Sequence, residues 1–475
     1  MKKALIFGTL IAAIGLVGPT LIGSVVNEKM VELVGTLNES PAYEATIVRS
    51  QSSWFSTVAT VKVGLNPAVF SDLSTNPEAV KLFEDLSGNV NITAQHGPLL
   101  ALNGFDMGLL ALKAEVDEAA LREYLTYSAD ERLYSLMVNV GLLGSVSFSD
   151  EVPAFTMFED TSGDAMSKPL SFSGWAGTGS MSASHLDYRG HMDSLTTLQD
   201  GSSGSFQMRS VSLEMNMDDS WVSMMEGAFY DSTFELVIGS MAVGSPMTPS
   251  ANVRVENIVM NAVTEKSEDG QLMDMALNYG IETIASEDFN ATDLSLKTEF
   301  NNLEESFFTA FQDASVNPLE MEQMAEVLKS SLLPQLQASP EFNITEMSGS
   351  VGNGSFSGKM LMKITDVDSM PDVLEDSEFW VSKADVDSAI TLDKAMALWV
   401  GEKMLVSQFQ GDQQMAGQMT DKEIKDLAMQ QAGTMLETFA QQGMVIVNAD
   451  GDYAMMLTLK DSQATLNGRP LPLPF

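Results

Sequence analysis

The sequence contains no cysteine in its 475 residues. Disulfides, thiol catalysis and cysteine metal sites are therefore excluded. Basic residues are also scarce, with 25 Lys and Arg against 65 Asp and Glu and a net charge of −40. Nucleic-acid-binding proteins need Lys and Arg to neutralise phosphates, and anionic lipid headgroups attract the same side chains. The charge balance therefore argues against a nucleic-acid partner and against electrostatic attachment to anionic lipid.

Histidine is almost absent, since the chain has only His96, His185 and His191. A zinc site needs three or four ligands that converge on the ion. His185 and His191 lie six residues apart on a segment that looks extended, which places them on one strand face. We interpret both as solvated polar residues, and His96, followed by Gly97-Pro98, as a bend residue rather than a general base. No metal site is expected.

Motifs for catalysis and cofactor binding are lacking as well. Gly354–Gly358 has the spacing of a nucleophile elbow but carries Phe356 where the serine must stand. Gly358-Lys359 is followed by methionine and not by the Ser or Thr of a phosphate-binding loop. Asn448–Asp452 resembles part of a calcium loop, but we predict a hairpin turn there. We therefore name no catalytic, cofactor-binding or metal residues, and we expect no cofactor and no enzymatic activity.

The most informative stretch that is present is Ala4–Val26, which has no charged residue. At about 1.5 Å per residue it is long enough to cross a hydrocarbon core of about 30 Å. We interpret it as an uncleaved signal anchor, with a cleaved signal peptide and a buried helix as alternatives. Lys2 and Lys3 precede it and stay on the cytoplasmic side. This predicts a single-pass inner-membrane protein whose bulk lies in the periplasm.

Much of the remaining chain alternates apolar and polar residues, which is typical of antiparallel strands with one buried and one solvated face. The clearest segments are Phe55–Val63, Val211–Met217, Phe234–Ile238, Leu294–Phe300 and Phe356–Ile364.

Helical periodicity is found in fewer places. Apolar residues at three- and four-residue steps predict a short helix at Glu28–Asn38 and longer helices at Pro318–Leu333, with Pro334 ending the run, and at Leu392–Phe409. Thr420 and Glu423 form a capping box that starts a helix running to about Gln442, and Gly443 is a natural stop.

These patterns predict an α+β protein. It has an N-terminal transmembrane helix, then a large and mostly antiparallel β-sheet domain with packed helices toward the C-terminus. We divide the sequence into the anchor at 1–26, a β-rich region at 27–300 and a region of helices and hairpins at 301–475.

Methionine is unusually frequent, with 33 residues. It recurs at alternating strand positions in Met215 and Met217, and again in Met360 and Met362. A flexible, polarizable side chain suits ordinary core packing, and it also suits a surface that adapts to varied apolar ligands. Both interpretations stay open on the sequence alone.

Four features together make the chain resemble the YdgA family of Gram-negative envelope proteins of uncharacterised function. They are the N-terminal anchor, the Arg49–Ser56 stretch (RSQSSWFS), His96-Gly97-Pro98 after an extended run, and the C-terminal helix and hairpin with the ending Leu466-Asn467-Gly468-Arg469 before Pro470. Ser50–Ser53 stands where the family has a compact Arg-Gly. The resemblance implies no catalytic residue.

The sequence therefore favours a non-enzymatic envelope binding or scaffold protein, held to the inner membrane through residues 4–26. Its expected partner is a lipid or an envelope protein. One alternative is a carrier of lipid-like ligands in a β-sheet trough, which predicts apolar strand faces that stay partly uncovered. Another is an envelope hydrolase, which predicts titratable side chains converging in a cleft.

Overall fold

The computed structural model describes residues 22–39, 43–65, 88–102, 104–117, 122, 125–157, 170–182, 184–197, 204–219, 229–244, 252–287, 289–307, 309–310, 330–371, 376–411 and 419–473. The chain forms two compact units, which are described separately. The first comprises Met1–Thr248 and Phe311–Met324, and the second comprises Pro249–Ala310 and Ala325–Phe475.

The first unit is a long antiparallel meander. Its strands are β1 (Tyr43–Ser52), β2 (Ser56–Leu65), β3 (Gly88–His96), β4 (Gly108–Asp117), β5 (Leu125–Thr126), β6 (Tyr134–Gly141), β7 (Val146–Val152), β8 (Phe155–Met157), β9 (Leu170–Phe172), β10 (Trp175–Met181), β11 (Leu186–Thr197), β12 (Ser205–Asp218) and β13 (Asp231–Gly244). Hydrogen bonding gives the order β1-β2-β3-β4-β6-β7-β10-β11-β12-β13. A small ribbon, β5-β8-β9, joins this sheet through β11.

One face of this sheet carries the core of the unit. Helix α1 (Ile22–Glu39) runs antiparallel to β1 and contributes Val26 and Met30 to the same cluster. Most strand residues in the cluster are small or β-branched, which suits a closely packed sheet face, and leucine and methionine fill the remaining positions. They include Ala59, Val61, Val90, Ile92, Ala94, Leu112, Ala114, Leu136, Val138, Val146, Met181, Leu186 and Met217.

The second unit is also an antiparallel meander. Its strands are β14 (Val253–Lys266), β15 (Leu272–Ser286), β16 (Asn290–Glu304), β17 (Glu341–Val351), β18 (Gly354–Ile364), β19 (Ala384–Leu392), β20 (Ile446–Val447), β21 (Tyr453–Lys460), β22 (Gln463–Leu466) and β23 (Arg469–Leu471). The order is β14-β15-β16-β17-β18-β19-β21-β22-β23, and β20 pairs with the start of β21.

Three helices of the second unit are α2 (Ser377–Lys383), α3 (Lys394–Gly411) and α4 (Asp421–Gln442). Shorter helical stretches lie at residues 305–307, 309–310 and 330–337. Helices α3 and α4 pack on one another through a cluster that includes Leu405 and Phe409. On α4 the buried residues recur every four positions, which gives one apolar stripe. They are Ile424, Ala428, Ala432 and Leu436.

The predicted mostly antiparallel sheet is confirmed, with few helices beside it. The alternating segments from Val211, Phe234, Leu294 and Phe356 lie in β12, β13, β16 and β18. The capping box at Thr420 and the stop at Gly443 are also confirmed.

The predicted transmembrane helix falls mainly on residues 1–21, outside the described residues. In the part of the chain from residue 22 that is described, no helix is both long and apolar enough to cross a membrane. Residues 22–26, which we assigned to the anchor, begin α1, and Val26 is buried against the sheet. The apolar run thus merges into a helix of the folded unit.

Two local predictions are wrong. Phe55 does not continue the alternation of β2, because it lies in the turn between β1 and β2 and is largely exposed. Pro334 does not end its helix, because residues 330–337 are helical and the Pro334 carbonyl accepts from the Ala338 N–H. Proline lacks only the donor, so its carbonyl can still serve the following turn. Residues 318–329 of that predicted helix lie outside the described residues.

Candidate functional site

The candidate site is an apolar face that crosses the second unit from β14 to β21. Directly opposed residues of antiparallel strands share a face, so the register identifies its members. For example, Ile344 opposes both Thr298 and Met360, and Met347 opposes Leu296. We call this set the open apolar face: Ile258, Met260, Ala262, Leu277, Tyr279, Ile281, Leu294, Leu296, Phe300, Phe342, Ile344, Met347, Phe356, Met360, Met362, Val386, Ile390, Leu392, Tyr453, Met455, Leu457 and Leu459.

None of these side chains is fully buried. All are half-buried except Tyr279 and Met455, which are exposed. In the first unit, by contrast, the corresponding face of β3 and β4 is closed, and Ile92 and Leu112 are almost inaccessible. The same alternation of residues therefore forms a sealed core in one unit and a partly accessible face in the other. In the described part of the second unit, helix α3 covers this face only at its edge, where Met396 packs on the first residue of β18.

The dimensions of the open apolar face match a lipid chain. Seven strands at about 4.8 Å spacing give a strip about 29 Å long across the sheet. Along one strand, Ile258 to Ala262 covers about 13 Å. One leaflet of a bilayer's hydrocarbon core is about 15 Å thick, so an acyl chain fits within the strip. Phe300 and Phe342 form a tilted aromatic pair in it, with ring centroids 4.9 Å apart.

The opposite face of the same strands is polar and ion-paired. Lys297 Nζ lies 2.7 Å from Glu346 Oε2, and Lys363 Nζ lies 2.7 Å from Glu341 Oε1. Hydrogen bonds from these lysines are the main cause that lowers the pKa of Glu341 and Glu346. The sheet is therefore amphipathic, and water on one side is compatible with an apolar ligand on the other.

The methionines divide between the two predicted roles. Met217 is buried in the core of the first unit. Met360 and Met362 lie on the open apolar face and are half-buried. Met217 is therefore ordinary core, whereas Met360 and Met362 are placed where they could contact a ligand.

A second polar feature, which the sequence analysis missed, lies on the covered face of the first unit. The Tyr188 hydroxyl donates to Asp150 Oδ1 at 2.9 Å, and Trp175 Nε1 donates to the Tyr188 oxygen at 2.9 Å. Burial raises the pKa of Asp150, although the hydrogen bond from Tyr188 opposes this. Burial also raises the pKa of Tyr134 and of Tyr188, and in both the charge of Asp150 adds to the effect.

Glycine makes room for this network. A Cβ atom at Gly177 would collide with Asp150 Oδ1 and the Tyr188 hydroxyl, and one at Gly190 would collide with the Trp175 ring. The glycines in alternate positions of β10 were the available sequence signal. The network ties β7, β10 and β11 together, and it presents hydrogen-bond donors to a carboxyl group rather than a nucleophile beside a base.

His96 lies at the end of a strand, and His185 and His191 lie on the surface. His96 ends β3, and its Nε2 lies 3.2 Å from the hydroxyl of the fully buried Thr57. Burial lowers the pKa of His96, which favours the neutral ring. His185 Nδ1 pairs with exposed Asp218 Oδ1 at 2.7 Å, and His191 is exposed on β11. Among the described residues, no three His, Asp or Glu side chains are grouped to hold a metal ion.

The remaining motifs are parts of hairpins. Gly354–Gly358 lies within β18, where Gly354 packs against the backbone of Met396 in α3. The predicted turn at Asn448–Asp452 is confirmed, because Asn448 Oδ1 accepts from the N–H groups of Asp450 and Asp452.

Comparison with known families gives one match over nearly the whole chain. The family model described as "Bacterial protein of unknown function (DUF945)" matches residues 1–474. No curated protein matches, and no solved structure matches.

Proposed function

The chain belongs to DUF945, a bacterial family of unknown function, and from that premise we propose that it acts by binding lipid-like apolar molecules on the open apolar face. The activity is non-enzymatic in this proposal. The chain holds an acyl chain against the sheet and needs no bond to be made or broken.

The observation that carries the proposal is the half-buried state of the open apolar face. Soluble proteins rarely leave a large contiguous apolar patch exposed unless something binds there. Burying each methylene of a ligand would contribute about 0.8 kcal/mol, so a long chain can bind without specific polar contacts. Met347, Met360 and Met362 supply side chains that adapt to ligands of different shape.

The cellular setting belongs to the same proposal. Residues 4–21 are uncharged and follow two lysines, which supports an anchor in the inner membrane with both units in the periplasm. The resemblance to the YdgA family supports the same envelope location. A scaffold that uses the open apolar face for an envelope protein is the alternative.

The test compares two neighbouring substitutions on β18. Met360 lies on the open apolar face, whereas Leu361 is 48% exposed on the opposite face. We expect Met360→Gln to lower the lipid that co-purifies with the full chain, with little change in melting temperature. Leu361→Gln should retain the lipid of the unsubstituted protein. The measurements are mass spectrometry of extracted lipid and binding of the apolar probe N-phenylnaphthylamine.

Two outcomes contradict the proposal. If neither protein contains lipid or binds the probe, and Met360→Gln lowers the melting temperature strongly, the face is ordinary core. If the face is covered by a co-purifying protein and no lipid is found, the scaffold alternative is correct.

A further inference from the structure

The loops at one end of the first unit carry a second exposed apolar surface. In the meander, the β1–β2 turn, the β3–β4 connection and the β6–β7 turn all lie at the same end of the sheet. Backbone contacts join these loops in sequence. His96 N donates to Phe55 O at 2.8 Å, which links the β3–β4 connection to the β1–β2 turn. Gly108, at the start of β4, pairs with Gly141, at the start of the β6–β7 turn. They therefore form one continuous edge.

The side chains on this edge are large, apolar and exposed. Trp54 is 93% exposed, Phe105 is 80% exposed and Leu143 is 99% exposed. We call the whole set the tip surface: Trp54, Phe55, Leu99, Phe105, Met107, Leu142 and Leu143. Isolated exposed apolar residues are common, but seven on three adjacent loops indicate a binding surface.

Charge is nearly absent from the tip surface although the chain is highly charged. The stretches 53–55, 97–107 and 141–145 contain a single ionisable residue, Asp106, and its Oδ1 accepts from Met107 N at 2.7 Å. A surface without charge can enter an apolar medium at a lower desolvation cost.

The backbone of these loops is also internally hydrogen-bonded. Ser53 N donates to Ser56 O at 2.7 Å, and Leu100 and Asp106 exchange two bonds of 2.9 Å. In the third loop, Gly141 N donates to Ser145 O at 2.8 Å. Backbone groups that are satisfied within the loop do not lose water partners when they enter lipid.

Helix α1 identifies what the tip surface faces. Asn38 hydrogen-bonds the backbone of Ala45 near the start of β1, whereas Asn27 Oδ1 accepts from Ser50 near its end. From Asn27 to Ile22 the helix rises about 7.5 Å, and from Ser50 to Ser52 the strand advances about 7 Å. The first residue of α1 is therefore level with the tip surface.

We propose that the tip surface inserts into the interfacial layer of the membrane into which residues 4–21 lead. The uncharged residues 4–21 join α1 at the same end as the tip surface. Tryptophan favours the membrane–water interface, and tryptophan, phenylalanine and leucine are the side chains that interfacial protein segments bury in lipid. They would supply the binding without basic residues, which are scarce in a chain with a net charge of −40. The first unit then stands with its strands directed away from the membrane.

The absence of cysteine makes this testable in the full chain. Leu143→Cys and Phe105→Cys each place a single labelling site on the tip surface. Ala129→Cys is the control, because Ala129 is exposed in the turn before β6, at the opposite end of the sheet. Each variant receives an environment-sensitive fluorophore and is reconstituted in phosphatidylcholine vesicles with or without doxyl-labelled lipid.

We expect the fluorophore at positions 143 and 105 to emit at shorter wavelength in vesicles and to be quenched by doxyl-labelled lipid. The fluorophore at position 129 should show neither effect. Adding Trp54→Asp and Leu142→Asp should remove the quenching at position 105, whereas Val48→Asp, at another exposed apolar residue of β1, should not.

Three results would overturn the proposal. The first is equal quenching at positions 143, 105 and 129. The second is protein that does not associate with the vesicles. The third is a blue shift that grows with protein concentration but is not accompanied by quenching from doxyl-labelled lipid. The third result would show that the tip surface binds a second copy of the chain.

Discussion

At the scale of single residues, Asp150 is a carboxyl group that is largely shielded from water. It accepts a hydrogen bond from Tyr188 and lies on the covered face of the first unit. Its pKa in the folded protein lies above the ordinary value of 3.8, mainly because of burial. A carboxyl whose folded pKa is raised favours folding in its protonated form.

This gives a prediction for Asp150→Asn. Below the unfolded pKa both states are protonated and the carboxylate imposes no penalty. As pH rises from there through the folded pKa, the penalty grows and then stays constant, at about 1.4 kcal/mol for each pKa unit between the two states. Asparagine keeps an oxygen for the Tyr188 hydroxyl, so the variant should be more stable at neutral pH and similar below pH 3.8.

The measurement is urea unfolding at neutral pH and below pH 3.8. Asp193→Asn is the control, because Asp193 is exposed on β11. A variant that is less stable at neutral pH would show that the ionised carboxylate stabilises the network.

A second prediction concerns Gly177, which is in contact with the same network. Gly177→Ala would place a methyl group against Asp150 and Tyr188, and overpacking of this kind costs about 1–3 kcal/mol. The matched control is Gly280→Ala in β15, where the new Cβ would be 4.0 Å from its nearest neighbour. Thermal unfolding should show a lower melting temperature for Gly177→Ala only. Equal melting temperatures of the two variants would contradict the close contact of position 177 with Asp150 and Tyr188.

At the scale of elements, side chains form hydrogen bonds with the backbone at both ends of α4. Thr420 and Glu423 form the capping box at its start. At its end, Arg469 Nη1 donates to Gln442 O at 3.1 Å and Asn467 Nδ2 donates to Gly443 O at 3.0 Å. The Leu466-Asn467-Gly468-Arg469 ending thus has a structural role. Its two central residues have positive φ, as a tight hairpin turn requires.

Removal of the N-terminal cap should destabilise α4. Thr420→Ala loses the side-chain acceptor for Glu423 N, and such a loss costs about 1 kcal/mol. Thr438→Ala is the control, because that hydroxyl bonds the carbonyl of Thr434 within the helix and its removal is nearly neutral. Chemical unfolding with helix content followed by circular dichroism gives the comparison. The capping assignment fails if both variants unfold at the same denaturant concentration.

At the scale of the whole molecule, the chain combines a net charge of −40 with two apolar surfaces. Like charges that are close together in the folded state repel one another. The few described ion pairs, such as Lys297–Glu346, are partly exposed, and exposed pairs contribute little. Electrostatic repulsion therefore opposes folding over the surface as a whole.

Stability should therefore rise with ionic strength. Screening shortens from about 30 Å at 0.01 M to about 3 Å at 1 M salt, so the melting temperature should increase over this range and then level off. Calorimetry in sodium chloride tests this. A rise that continues linearly above about 1 M would instead reflect exclusion of salt from the protein surface.

Sequence patterns were sufficient where structure depends on near neighbours. Alternation located β12, β16 and β18, and the Thr420–Glu423 pair located the start of α4. They failed at Phe55, because alternation does not show where a strand turns, and at Pro334, because a proline can lie inside a helix. The Asp150 network was missed since Asp150 and Tyr188 are 38 residues apart.

The sequence by itself determined the strand-rich character, the charge, the absence of thiol chemistry and the apolar stretch at residues 4–26. The tertiary structure decided which apolar residues are covered. Ile92 and Ile344 both lie on alternating strands, yet Ile92 is sealed in the core and Ile344 is half-buried on the open apolar face. Alternation depends on the local period of the strand. Burial depends on what packs above the sheet, and the tip surface depends on strand register between residues distant in sequence.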